Sequence, residues 1–338
     1  MNFSDPRHID MNRTLPLLAS FALMALSTLS HGKTDAYPTR PIRVVVPFSA
    51  ASSADNLARA LSEKLSEKLK QPLVIDNRVG AGGTLGVAAV AKAPPDGYTL
   101  LLTTSSPLVI SPLIDRSVQY NVEKDLAPVA MLSTGPLLLV SSPNLPARNV
   151  QELIALLKKE PGKYSYASNG NGSYSHMAME LFARMAGVDL VHIPYKGPAQ
   201  AEADVIGGQV TLMFDAVGTA TSMIKAGRLR SYGTSSAQPD PLAPNQIPLA
   251  AQGGAALKGF DVFGWSGLLA PAGTPPSVIA TLQKAVDDVL ADAAFRQLMA
   301  GRNTTLVKPQ ASREMGRQIR GDQAKWEQLV KSAGIKLE

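Results

Sequence analysis

The feature that most constrains this chain is the repeated alternation of short β-branched apolar runs with helical periodicities. Ile42-Arg43-Val44-Val45-Val46 reads as a strand. Leu57, Leu61, Leu65 and Leu69 then recur every four residues with Lys64, Glu67 and Lys68 opposite, which reads as a helix. A strand over 73–75, an Ala/Val-rich helix over 84–91 and a strand over 98–103 repeat the pattern, punctuated by Gly80-Ala81-Gly82-Gly83 and Pro94-Pro95-Asp96-Gly97. A second series follows the β-rich stretch 129–141. Asn149 with Glu152 three residues on opens a helix in capping-box style. Strands over 163–167, 190–193, 210–214 and 229–234 then alternate with helices over 176–186, ended by Gly187, and 199–206. Residues 237–259 form a Pro-, Ala- and Gly-rich connection. A strand over 263–271 and helices over 276–290, to 299, and over 312–332 close the chain. Strand and helix in alternation predict an α/β fold of mostly parallel sheets flanked by helices. We read two lobes, residues 37–136 plus 262–338 and residues 137–261. Two chain crossings between them make a hinge and a cleft that can close on a ligand.

Composition narrows the chemistry. None of the 338 residues is cysteine, which excludes disulfides, thiolate metal sites and a cysteine nucleophile. The net charge of +6 is mild and forms no basic blocks interleaved with aromatics, so nucleic acid is not an expected partner. The run LPLLASFALMALSTL from Leu15 to Leu29 is short for a bilayer span and follows Arg13, the pattern of a signal peptide. Cleavage falls before Lys33 or before Tyr37. Asp5 and Asp10 are foreign to such a leader, which points to Met11 as the true start. Removal of residues 1–36 takes out three basic and three acidic side chains and leaves +6. It also leaves two of four histidines, His176 and His192, with no metal-ligand spacing, and neither a metal nor a cofactor is expected.

Three strand ends run into small or hydroxyl-rich stretches that open helices: Phe48 to Asp55, Thr103 to Pro107, and Ser168 to Ser175. In an open α/β sheet, ligands bind outside the carboxyl ends of the strands. Helix N-termini there offer free N–H groups and a positive dipole end, suited to an anion. Nucleotide readings fail at specific positions. Gly170-Asn171-Gly172-Ser173-Tyr174-Ser175 has Ser where a third glycine belongs, and Gly80 to Gly86 lacks the Lys-Ser/Thr of a phosphate-binding loop. A secreted hydrolase using Ser173, His176 and Asp215 is the alternative reading. It lacks a Gly-x-Ser-x-Gly elbow, and His176 lies in the first helical turn after Ser173. His192, inside an apolar strand, reads as a buried histidine, and Trp265 as a core aromatic.

Ordered motifs across nearly the whole mature chain carry a family resemblance. They include Tyr37-Pro38-Thr39-Arg40-Pro41-Ile42-Arg43, Asn77-Arg78-Val79-Gly80-Ala81-Gly82-Gly83, Ala93-Pro94-Pro95-Asp96-Gly97-Tyr98, Tyr166-Ala167-Ser168-Asn169-Gly170-Asn171-Gly172-Ser173 with His176, His192-Ile193-Pro194-Tyr195-Lys196-Gly197, and Leu269-Ala270-Pro271-Ala272-Gly273-Thr274-Pro275. The chain resembles the Bug (TctC-type) substrate-binding proteins of tripartite tricarboxylate transporters. That resemblance implies a periplasmic-binding-protein-like (type II) fold, a periplasmic location and a monomer that clasps a small organic acid for membrane permease subunits. Carried onto this chain, it implies ligand contacts from Phe48, Ser49, Ala50, Ser52, Ser53 and Asp55, and from Asn169, Gly170, Ser173 and His176. Thr104, Ser105, Ser106, Tyr195, Lys196, Gly197 and Asp215 complete the expected cleft.

One departure matters. The family's first loop is Gly-rich after the Phe, whereas this chain has Ser49-Ala50-Ala51-Ser52-Ser53. Without Gly, the loop must take another path or accept left-handed strain. No Arg lies within the strand-end loops, so oriented amides and hydroxyls, more than a guanidinium clamp, are expected to hold an anion.

Overall fold

The first strand forms where the sequence places it, β1 (Ile42–Val46), and its apolar side chains are buried under α1 (Ser53–Leu69). Leu57, Leu61 and Leu65 of α1 are buried, which contributes roughly 1.5–3 kcal/mol per side chain. Ser52 caps α1 by accepting from the Asp55 N–H, and Lys70 in left-handed conformation ends it. The computed structural model describes residues 1, 2, 37–195 and 197–333. The leader and start-site expectations therefore lie outside the described residues, as does Lys196. Arg40–Glu338 is one compact unit.

Next come β2 (Leu73–Asn77), α2 (Thr84–Ala91) and β3 (Thr99–Thr104), within a residue or two of the expected bounds. Strand β4 runs unbroken from Leu126 to Ser141. It is followed by α3 (Val150–Lys159), β5 (Ser165–Ser168), α4 (Tyr174–Ala186), β6 (Val191–Pro194), α5 (Pro198–Ile206), β7 (Leu212–Ala216), α6 (Val217–Lys225) and β8 (Arg230–Thr234). The chain closes with β9 (Phe263–Pro271), α7 (Pro276–Leu290), α8 (Ala293–Gly301), β10 (Thr305–Leu306) and α9 (Met315–Ala333). Helix α6 and the single-turn helices Ser106–Val109 and Ser111–Ile114 were not legible as periodicity; the last two are shorter than one amphipathic repeat.

The strands form a two-lobed α/β architecture in the order β2-β1-β3-β9-β4-β7-β5-β6, with β8 and β10 also paired to β4. Parallel pairing holds within β1–β2, β1–β3, β5–β6 and β5–β7, the βα units of the sequence pattern. The two strands that carry the chain across run antiparallel to their neighbours, which makes each sheet mixed. Long strand β4 explains the geometry. Its residues Leu126 to Pro136 pair with β9, and its residues Leu137 to Ser141 pair with β7 and β8. Gly135-Pro136 sits at the change of partner, where a missing amide donor and a missing side chain suit a strand leaving one ladder for another. The return is tied at the same level: Ser235 N–H donates to Leu137 O, and Val262 N–H to Ser235 O. Leu138, Val140, Ala167, Val205 and Met213 form the core on the second side of this crossing.

Candidate functional site

A cleft of about 560 Å³ opens where strand ends and helix starts converge. It is lined from one side by Phe48, by Ser53 and Leu57 of α1, by Gly82 ahead of α2, and by Thr104, Ser105 and Ser106 at the end of β3. From the other side come Asn169, Asn171, Gly172, Ser173 and Tyr174 between β5 and α4, and Ala216 at the start of α6. The crossing strands supply Ser133, Thr134, Gly135 and Leu137 from β4 and Gly264, Trp265 and Ser266 from β9. Among the described residues, the lining contains no Asp, Glu, Lys, Arg or His.

The neutral lining is nevertheless polarised. Helices α1, α4 and α6 point their N-termini at the cleft, through Ser53 and Ala54, Ser173 and Tyr174, and Ala216. Their free N–H groups and positive dipole ends can receive an anion, with the buried carboxyls of Asp55, in the first turn of α1, and Asp215, directly ahead of α6, standing outside the lining. Hydroxyl-bearing Ser53, Thr104, Ser105, Ser133, Thr134 and Ser266 line the same space and can add donors, whereas Ser106 Oγ donates to Gly172 O. Such a site can hold an anion by many short-range donors, while Phe48, Leu57, Tyr174 and Trp265 shape its apolar walls.

Seven of the sequence-expected residues line this cleft: Phe48, Ser53, Thr104, Ser105, Ser106, Asn169 and Ser173. The other described ones lie outside the lining. Asp55 is buried and turned into its own loop: it accepts from Ala51 N–H at 2.9 Å, Arg59 Nε at 2.8 Å and Asn77 Nδ2 at 2.9 Å. Burial pushes its carboxyl up, but the bonds from Arg59, Asn77 and Ala51 outweigh that and hold it below its ordinary value. Asn77 also donates to Phe48 O, so this cluster braces the first loop from both ends. Ser52 is spent on the helix cap, and Ser49 and Ala50 are exposed outside the cleft. The Gly-poor loop accepts strain: Ala51 has φ 64, a left-handed conformation costing an L-residue roughly 1–2 kcal/mol.

In the second loop, Gly170 makes a turn at φ 109 without lining the cleft. His176 lies beneath the loop, about 6% exposed, with Nδ1 accepting from Gly172 N–H at 3.1 Å. Tyr195 turns its hydroxyl to Asp204 at 2.6 Å, and Gly197 starts α5. Asp215 is buried one residue behind Ala216, where it accepts from Ala216 N–H and Thr219 Oγ1, each at 2.8 Å. Burial raises its carboxyl to about 6, against the pull of those two bonds, and neighbouring Glu202 adds to the rise. The same contacts remove the hydrolase alternative. Ser173 Oγ caps α4 by accepting from His176 N–H, while His176 Nδ1 and both Asp215 oxygens are engaged elsewhere.

Sequence reasoning missed the β4 and β9 contributions and Asn303 and Thr304, the turn ahead of β10. Gly264, a glycine inside a strand pattern, was the available signal for a close backbone approach, since a Cβ there would lie 3.7 Å from Gly135 O. A Cβ at Gly218 in the first turn of α6 would lie 2.6 Å from Asn303 Cβ, so Asn303 reaches across to that helix; no local pattern announces it. Trp265, expected as a core aromatic, is 2% exposed with its indole N–H on Asp322 at 2.7 Å, yet it borders the cleft.

A two-lobed α/β chain with an uncharged, donor-lined cleft between crossing strands has the build of a solute receptor. Residues 57–335 match the model of the tripartite tricarboxylate transporter family receptor, and the chain belongs to that family. It is 34% identical over 331 residues to protein BugT of Bordetella pertussis, covering 98% of this chain and 100% of BugT. Among solved structures it is similar to a Rhodopseudomonas palustris protein with adipate, at 31% identity and TM-score 0.75, covering 89% of this chain and 99% of that one. It is also similar to MatC of the same organism with bound malate, at 29% identity and TM-score 0.72, covering 87% of this chain and 100% of that one. Members of this family are receptors, which places the chain among binding proteins and not among enzymes.

Proposed function

We propose that this chain is an exported, periplasmic receptor that captures a small carboxylate in the cleft and delivers it to membrane permease subunits as a monomer. Residues 1–36 carry the export signal in this reading. The lobes are residues 37–136 plus 262–338 and residues 137–261, hinged where β4 changes partners and where the chain returns into β9. The observation that carries the proposal is the lining: three helix N-termini and a field of hydroxyls face a space without a formal charge. Donors of that kind discriminate a carboxylate from its neutral amide, because an anion gains from every converging N–H and O–H while an amide brings donors of its own. The structures of relatives with adipate and malate support the same ligand class. No helix among the described residues is long and apolar enough to cross a membrane, which fits a receptor that depends on separate permease subunits.

Thermal unfolding with adipate, malate and adipamide tests this. A bound carboxylate at 100 times its dissociation constant stabilises the fold by about 2.7 kcal/mol. The expected result is a concentration-dependent rise with a carboxylate and none with the amide. A panel of small carboxylates that leaves the transition unmoved, or an amide that matches its acid, overturns the proposal.

A further inference from the structure

The two histidines among the described residues, His176 and His192, come together beneath the second cleft loop. Their rings stack at 4.1 Å with an interplanar angle of 9°, and Tyr166 extends the column at 4.8 Å from His192. Each histidine holds a different part of the loop. His176 Nδ1 accepts the Gly172 N–H at 3.1 Å, so that nitrogen carries no proton and Nε2 is the protonated one. His192 Nε2 meets Ser168 Oγ at 2.6 Å, and the same hydroxyl oxygen accepts from Gly170 N–H at 3.1 Å. Gly172 is also the point where this loop touches the opposite wall: its carbonyl accepts from Ser106 Oγ at 3.0 Å. Its position suits glycine, with φ 69 in the left-handed region, and a Cβ there would lie 2.0 Å from Ile114 Cδ1 and force that side chain to move.

We propose that His176 and His192, as a neutral stacked pair, are positioning residues that hold the 169–173 loop in its ligand-binding shape and keep Gly172 against Ser106. The proposal rests on the reading of this cleft as the ligand site. Neutrality is required by the geometry. Protonation of His176 turns Nδ1 into a donor facing the Gly172 N–H, replacing a bond with a repulsion, and it places a cation against the face of the His192 ring. The titratable groups around the His176 ring are Tyr166 from β5, His192 from β6 and Glu180 from α4, whose Oε1 lies 3.9 Å from His176 Nε2 and accepts from Tyr166 at 2.5 Å. Burial lowers both histidines to about 4, with His176 itself adding to the effect on His192. The pair therefore stays neutral through the ordinary pH range and yields only in acid.

Two variants separate positioning from mere packing. H176N places a carboxamide oxygen where Nδ1 stands and cannot be protonated near neutral pH; H176F keeps a ring in the stack but offers no acceptor. Hydrogen exchange of the 168–176 segment and calorimetric affinity for adipate and malate are measured on the full protein from pH 7.5 to 4. At pH 7.5, H176N should keep both loop protection and affinity within about twofold. H176F should exchange faster there and bind about three- to tenfold more weakly, the value of one hydrogen bond. On acidification the wild type should lose loop protection and affinity toward pH 4, and H176N should lose less, the ligand's own protonation being common to both proteins. A folded H176F with full loop protection, or an H176N with the same acid loss as wild type, overturns the proposal. If H176F does not fold, the pH comparison of wild type with H176N decides alone. If no carboxylate binds the wild type, the functional reading fails, and the exchange measurements still decide whether the histidines position the loop.

Discussion

Asp215 offers a test of how much the second lobe gives up to keep a carboxyl behind the cleft. Its side chain is 2% exposed, and burial raises its pKa from an ordinary 3.8 to about 6. A difference of roughly two units corresponds to about 3 kcal/mol at pH values above both. The sign follows from the proton count. Between about pH 4 and 6 the folded protein retains a proton that the unfolded chain has released, so this group's contribution to stability falls as pH rises through that window and stays at its lowest above it. D215N removes the charge while preserving the contacts: Asn Oδ1 accepts from Ala216 N–H, and Thr219 Oγ1, which donates to Asp215 Oδ2 in the wild type, can turn its proton to Ala216 O 3.0 Å away and accept from the new Nδ2. Urea unfolding of wild type and D215N at pH 4, 5, 6 and 8 measures the difference. The variant should gain up to about 3 kcal/mol at pH 8, and the gain should shrink toward zero near pH 4. A gain that is the same at every pH, or a loss at pH 8, would refute the reasoning.

Further substitutions address the first loop and the cleft wall. A51G relieves the left-handed strain at φ 64 and, after the extra chain entropy of glycine, should stabilise the protein by up to about 1 kcal/mol, read as a rise of up to about 2 °C in Tm. The loop serines should separate by role. S52A loses the α1 cap and about 1 kcal/mol of stability, S53A weakens carboxylate affinity without a change in Tm, and S49A changes neither. W265F leaves Asp322 with Gln318 and Lys325 but without its indole donor, at a cost of about 1–3 kcal/mol in denaturant unfolding. Because Trp326, the other tryptophan, lies outside the cleft, W265F should also abolish the ligand-induced change in intrinsic fluorescence.

Local chemistry explains which parts were legible in advance. The helix α7 and the strand β9 match their expected bounds because Pro275-Pro276 and a continuous apolar run mark them. Helix α3 begins at the Asn149 cap, with Glu152 N–H on Asn149 Oδ1 and Glu152 Oε2 reaching back to Arg148 N–H. Glycine chemistry was legible too: Gly187 ends α4 at φ 65, and the missing glycines of the first loop reappear as strain at Ala51. The roles of individual polar residues were not legible. Asp55, His176 and Asp215 sit one layer behind the cleft because a hydroxyl or a carboxyl in a βα loop can equally cap, brace or bind, and sequence spacing does not say which way it turns.

Ordered motifs along the chain carried the family resemblance, and the sequence alone determined the alternation of strands and helices and the helix starts and stops. Those depend on periodicity, capping and turn residues within a few positions of one another. Only the tertiary structure decided that β4 changes partners at Gly135-Pro136, that His176 and His192 stack beneath the loop they support, and that Asn303 reaches Gly218. Each joins residues on different elements of the chain, through sheet register and side-chain direction. Register and direction are settled by what the rest of the fold leaves room for.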